Sequence, residues 1–93
     1  MNPTHNYRRY FVYVLRSNKN DSLYIGCTSD LQKRLEEHNN KQNASTARYA
    51  PWEIIYFEGF ISKEDAFERE QSLKLHAQGL RRLKERLHNT LKR

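Results

Sequence analysis

The sequence predicts a small mixed α/β (α+β) domain in which a three-stranded antiparallel sheet is flanked by three or more helices. Dense β-branched and aromatic runs at residues 10–15 and 23–26 bracket a stretch rich in turn formers, Ser17-Asn18-Lys19-Asn20-Asp21-Ser22, which is a hairpin pattern. A third such run, residues 52–57, starts after Pro51 and stops near Gly59, putting the hairpin at the heart of the sheet. Between and after these runs, apolar groups recur at three- and four-residue spacing, the period of amphipathic helices. A chain of 93 residues has room for one domain and one modest core.

Residues 1–9 are polar and aperiodic and read as a flexible lead; the domain is expected over residues 10–93. After the hairpin, Ser29 followed by Gln32 has the capping-box spacing, so a helix is expected to open there and run to about Asn39. Leu31 and Leu35 define its buried stripe, and Arg34 and His38 fall within about 60° of Leu31, one turn apart and bordering the core. The polar stretch over residues 39–50 reads as a long loop. Ser62 is a second cap, for a helix whose apolar side is Ala66, Phe67, Leu73 and Ala77, with Glu70 in the middle of that side. An inward carboxylate must meet a cation, a metal or water in a cleft, or else be half of a buried ion pair with an arginine. A third helix, after Gly79, aligns Leu80, Leu83, Leu87 and Leu91 and turns its cations outward.

Composition narrows the partners. The aromatic share of 12 % supplies the bulky groups that disordered chains lack. The lone cysteine, Cys27, cannot build an internal disulfide, so a reducing, cytoplasmic setting is expected. The longest apolar run, six residues, is too short for a signal-peptide core or a bilayer span, so no membrane partner is expected. Net charge is +6, and from position 76 onward six cations face a single acid. That asymmetry points to a polyanion on the C-terminal helix, with a merely solvated basic face as the alternative. Nucleophile-elbow, phosphate-loop and zinc-ligand spacings are absent. What remains is a set of polar groups pointing inward from separate elements: Tyr13, Tyr24, Arg34, His38 and Glu70.

Phe11-Val12-Tyr13, ten intervening residues and Tyr24-Ile25-Gly26 resemble the paired motif of the GIY-YIG nuclease superfamily. The agreement continues through Asp30-Leu31-x-x-Arg34-Leu35-x-x-His38 and Ala66-x-x-x-Glu70-x-x-x-Lys74, and covers residues 10–90. The chain looks most like the small standalone members related to the N-terminal nuclease domain of the excision-repair UvrC protein. It departs from the pattern where Phe11-Val12 replaces Gly-Ile. The resemblance implies one divalent cation, Mg²⁺ or Mn²⁺, and endonucleolytic hydrolysis of DNA in repair, recombination or restriction. On these positions Tyr24 would be general base on water, Tyr13 would position that water or the phosphate, and Arg34 would bind the scissile phosphate. His38 would assist on the same face and Glu70 would hold the metal. Lys74, Arg81, Arg82 and Lys84 are the expected nucleic-acid contacts. The rival reading is a non-catalytic nucleic-acid-binding module of the same fold. With no second domain to read DNA, substrate choice would fall to a partner protein.

Overall fold

The β-branched and aromatic residues after Arg9 form β1 (Tyr10–Ser17), which turns back through residues 18–22 into β2 (Leu23–Thr28). The computed structural model describes residues 9–92, so the expected lead, apart from Arg9, and Arg93 lie outside the described residues. Helix α1 (Leu31–Asn39), the short helix α2 (Ala44–Ala47), β3 (Trp52–Phe60), α3 (Lys63–Leu75), α4 (Ala77–Arg86) and α5 (His88–Leu91) follow. The sheet is antiparallel with order β2-β1-β3, so β1 is central and β2 is an open edge.

Being central, β1 is covered on both faces, which is why its sequence is a continuous apolar run rather than an alternation. Val12 and Val14 pack with Ile25, Ala66, Leu73 and Leu83, under α3 and α4. Tyr13 and Leu15 pack with Trp52 on the other face, where Leu31 and Leu35 of α1 join them. The run therefore supplies two cores from alternate side chains.

Several boundaries differ from expectation for local reasons. Asp30, not Ser29, caps α1: its carboxylate accepts the Lys33 amide at 3.0 Å and also complements the helix dipole. The expected loop over residues 39–50 contains α2, capped by Asn43, whose side chain accepts the Ser45 amide. Strand β3 continues through Gly59, paired with Phe11, to Phe60. Ser62 caps α3 as expected. The inward stripe of α3 is narrower than expected, namely Ala66, Glu70 and Leu73; Phe67, about 100° from Ala66, is 56 % exposed. Ala77 opens α4 instead of closing α3, and the third helix breaks at Leu87, leaving α5 tied down by Arg16, whose Nη1 donates to the Thr90 carbonyl at 3.1 Å.

Candidate active site

In the antiparallel register Tyr13 faces Gly26 and Leu15 faces Tyr24, so the two tyrosines share one side of the sheet. The Tyr13 ring lies across Gly26, where a β-carbon would overlap the ring and its hydroxyl. Glycine is required here because of that close approach. Only 1 % exposed, Tyr13 reaches up to α1, where its hydroxyl meets His38 Nε2 at 2.9 Å and accepts from Arg34 Nε at 3.4 Å.

The direction of this chain can be worked out from its far end. Thr46 Oγ1 donates to the Asn43 carbonyl at 3.3 Å, leaving a lone pair to accept from His38 Nδ1–H at 2.7 Å. His38 is then the neutral tautomer with Nε2 bare, which accepts the Tyr13 hydroxyl proton and leaves the Tyr13 oxygen facing the Arg34 guanidinium. The titration directions agree. Burial, then the Arg34 charge, pulls His38 below its ordinary value, against a smaller opposing effect of Glu37. Burial also pushes Tyr13 up, more than its Arg34 hydrogen bond draws it down. Arg34 is held above its ordinary value by the hydrogen bonds to Tyr13 and to Glu37, the latter at 3.0 Å. The result is a permanently cationic, half-exposed guanidinium fixed at the mouth of the chain.

Tyr24 differs from Tyr13. Its ring packs edge-on against His38 at 5.1 Å and Trp52 at 6.3 Å, while its hydroxyl makes no hydrogen bond with a described residue. Glu70 approaches from α3 on the opposite face, around the open β2 edge. It is 9 % exposed, and its Oε2 meets Lys74 Nζ at 2.9 Å, with that ammonium also 5.8 Å from the Tyr24 ring centre. The cation it meets is thus a lysine one turn along, not an arginine. Two clefts flank the end of β2 and share Cys27, Thr28 and Ser29 as a common rim. Arg34 lines one of about 480 Å³ and Glu70 lines the other of about 460 Å³. Among the described residues, no group of three or more His, Cys, Asp or Glu could hold a metal ion. A divalent cation would rest on Glu70 alone among the acids. The donor chemistry fits such an ion: a hard carboxylate on an open cleft that already draws the Lys74 ammonium to itself, with room for water and phosphate oxygens as further ligands.

Tyr13, Arg34 and His38 are therefore in direct sequence of contact, and Tyr24 packs on His38. Glu70 and Lys74 form a separate pair across the β2 edge. His38, with 0 % exposure, lines neither cleft and is linked to Arg34 at the cleft through Tyr13. Arg81, Arg82 and Lys84 are exposed on α4. Sequence reasoning gave no site role to Thr46, or to Gly26 beyond its place in the Tyr24-Ile25-Gly26 motif. The Asn43 to Ser45 capping spacing could have flagged the helix that carries Thr46, and strand pairing could have placed Gly26 opposite Tyr13.

A family model described as the GIY-YIG catalytic domain matches residues 9–84. The chain is 42 % identical over 65 residues to a UPF0213 protein of Clostridium perfringens (strain 13 / Type A), covering 69 % of each chain. It is 36 % identical over 67 residues to a UPF0213 protein of Oceanobacillus iheyensis, covering 71 % of this chain and 77 % of the other. Its fold is similar to the solution NMR structure of a UPF0213 protein from Bacillus halodurans, with TM-score 0.51, 30 % identity and coverage of 87 % of this chain and 83 % of that one. No helix among the described residues is long and apolar enough to cross a membrane.

Proposed function

The chain belongs to the GIY-YIG catalytic domain family, a nuclease family acting on nucleic acid, and from that premise we propose a divalent-metal-dependent endonuclease that hydrolyses DNA phosphodiester bonds in repair, recombination or restriction. The observation that supports it most is the directed chain from Asn43 to Arg34, which fixes one guanidinium at a cleft that meets the Glu70 cleft along a common rim. Arg34 binds the scissile phosphate and offsets the charge that grows on its oxygens in the transition state. Tyr13 and His38 hold that guanidinium in place and are positioning residues. Tyr24, whose hydroxyl is uncommitted, takes the proton of the attacking water. Glu70 holds one Mg²⁺ or Mn²⁺, which when bound supplies further charge neutralisation at the phosphate. Lys74 adds positive charge beside it, and the α4 cations hold the flanking DNA backbone. The setting is cytoplasmic, with a partner protein supplying substrate choice.

The Glu70–Lys74 pair also favours a second reading. A carboxylate already half neutralised is tolerable near phosphates, so a non-catalytic nucleic-acid-binding module could keep it. Glu70→Gln separates the two. Lys74 is 38 % exposed, so loss of the pair should leave the melting temperature nearly unchanged. Plasmid nicking in Mg²⁺ or Mn²⁺ should vanish, as it does for wild type in EDTA, while DNA affinity in EDTA stays equal or improves. A wild type that binds DNA but never nicks it establishes the binding module. A Glu70→Gln protein that nicks normally removes Glu70 from the mechanism.

A further inference from the structure

The flank of α3 turned towards α4 carries a second concentration of charge, away from the Glu70 ridge. Arg69 and Ser72 stand three apart on α3, and Arg82 and Arg86 four apart on α4, so each pair shares one side of its helix. Together with Gly79 and Leu83 they line a cleft of about 320 Å³. Its charges do not balance. Glu58 of β3 is engaged by Arg69 through two donors, Nε at 2.9 Å and Nη2 at 2.8 Å. That bidentate pair fixes the Arg69 guanidinium. Arg82 and Arg86 are exposed and have no ion-pair partner among the described residues, nor has the Ser72 hydroxyl a hydrogen bond there. Burial opposes ionisation of Glu58, but its hydrogen bonds from Arg69 and Tyr56, with the Arg69 and Arg86 charges, hold it below the usual carboxylate range. Arg69 and Arg86 therefore act on one carboxylate while Arg82 adds a third positive charge to the cleft, and Arg82 and Arg86 repel each other across one helical turn. What satisfies such a cleft is an anion with several oxygens to accept forked donors.

We propose that this cleft is a phosphodiester subsite, in which Arg82, Arg86 and Ser72 take a backbone phosphate of bound DNA while Arg69, braced by Glu58, sets the geometry; the proposal rests on the nuclease reading above. An extended polyanion fits better than a free phosphate, because exposed Arg81, next to Arg82 on α4, adds positive charge outside the cleft. Arg69 and Glu70 are adjacent on α3, so the DNA that presents a phosphate to the active cleft meets this subsite across the same helix.

The test compares wild type with the double variant Arg82→Gln and Arg86→Gln. Both side chains are exposed, so folding is retained and is verified by melting. The probe is a fluorescent duplex of about 20 base pairs, longer than the roughly 14 that span the 46 Å long axis of the molecule at 3.4 Å each. Losing the contacts to that one phosphate should lower the slope of log affinity against log salt by about 0.9, so between 50 and 200 mM salt wild type loses roughly three- to fourfold more affinity than the variant. A variant with unchanged affinity and slope, beside a wild type that binds, overturns the subsite and leaves the nuclease reading intact. A wild type that does not bind the duplex overturns both. In a parallel NMR titration with inorganic phosphate, shifts of the Arg82 and Arg86 Nε–H signals without any effect of the double variant on duplex affinity would mean a free-anion site and overturn the backbone assignment.

Discussion

Val12 and Val14 turn to one side of β1 and meet Ala66, Leu73 and Leu83, with no hydrogen bond among those side chains, whereas Tyr13, one residue away, turns to the other and meets His38, Arg34 and, through His38, Thr46. Both faces are buried, yet they hold together differently. The apolar face depends on volume, and a lost methyl group there costs stability in proportion to the cavity it leaves. The polar face depends on direction: each buried donor, from Tyr13 through His38 to Thr46, has one acceptor, so removing an inner member strands its neighbour, whereas Arg34 ends the chain at the surface. Placing the two on alternate residues of a central strand gives the guanidinium at the cleft a rigid foundation.

The largest contrast is expected from Arg34→Ala. Arg34 ends the chain at its half-exposed mouth, so stability should hardly move, while cleavage falls by about 10² to 10³-fold, as for loss of one donor to a developing charge. A melting curve and a nicking assay on one preparation read both. If the variant unfolds, Arg34 belongs to the scaffold, and the distinction between the faces fails. Next is the opposite case, Leu73→Ala on the apolar face. Leu73 is 1 % exposed and packed beneath α4, so the change should cost on the order of 3 kcal/mol of stability by chemical denaturation. DNA affinity per folded molecule in EDTA, which does not draw on Glu70 one turn away, should stay within a factor of about two, on the general expectation that sites without shared partners act independently. A large loss of affinity in the folded fraction would show that the two faces are coupled.

The architecture was legible in the sequence because each element declares itself locally: the aromatic runs, the turn residues of the hairpin, and Ser62 before α3. Arg34, His38 and Glu70 were legible as inward residues because helical angle alone puts them there. Partners were a different matter. That His38 rests on Thr46 depends on a four-residue helix with no apolar period to announce it. That Glu70 meets Lys74 was open to a spacing argument, since the two are one turn apart, but burial alone leaves a cation, a metal, water or an arginine equally open as its partner. Phe67 reads as inward because it is apolar, yet α3 lies across the sheet on so narrow a stripe that 100° is already solvent.

A smaller effect should follow from Thr46→Val, which keeps the shape of a fully buried side chain and deletes one hydroxyl. The His38 Nδ1–H then loses its acceptor, which costs about 1–3 kcal/mol for an unsatisfied buried donor. His38 is also freed to adopt the other tautomer, which would turn an N–H towards the Tyr13 hydroxyl and reverse that bond. Nicking should drop several-fold with little change in DNA affinity. Thr46→Ser, which keeps the hydroxyl, should recover most of it. If valine and serine behave alike, the hydroxyl is irrelevant, and Thr46 merely fills space.

The mildest perturbation is pH, and it too should discriminate between the faces. His38 has a folded pKa below its ordinary value near 6.5, since burial and then Arg34 disfavour its charged form. The folded state therefore binds fewer protons than the unfolded chain as pH falls past 6.5. The His38 contribution to stability is complete above that value and is lost as pH falls towards the lowered folded pKa, with a limiting slope of about 1.4 kcal/mol per pH unit for one proton. Glu58, also lowered, loses its contribution only below its ordinary value of 4.5, outside the interval from about pH 7.5 to 5.5. Denaturation midpoints across that interval should decline for wild type and for Leu73→Ala in parallel, and should be flat for His38→Gln, whatever that variant loses in absolute stability. A His38→Gln protein that keeps the wild-type slope would place the titrating group elsewhere and remove the titration behaviour that agrees with a neutral His38 accepting the Tyr13 proton.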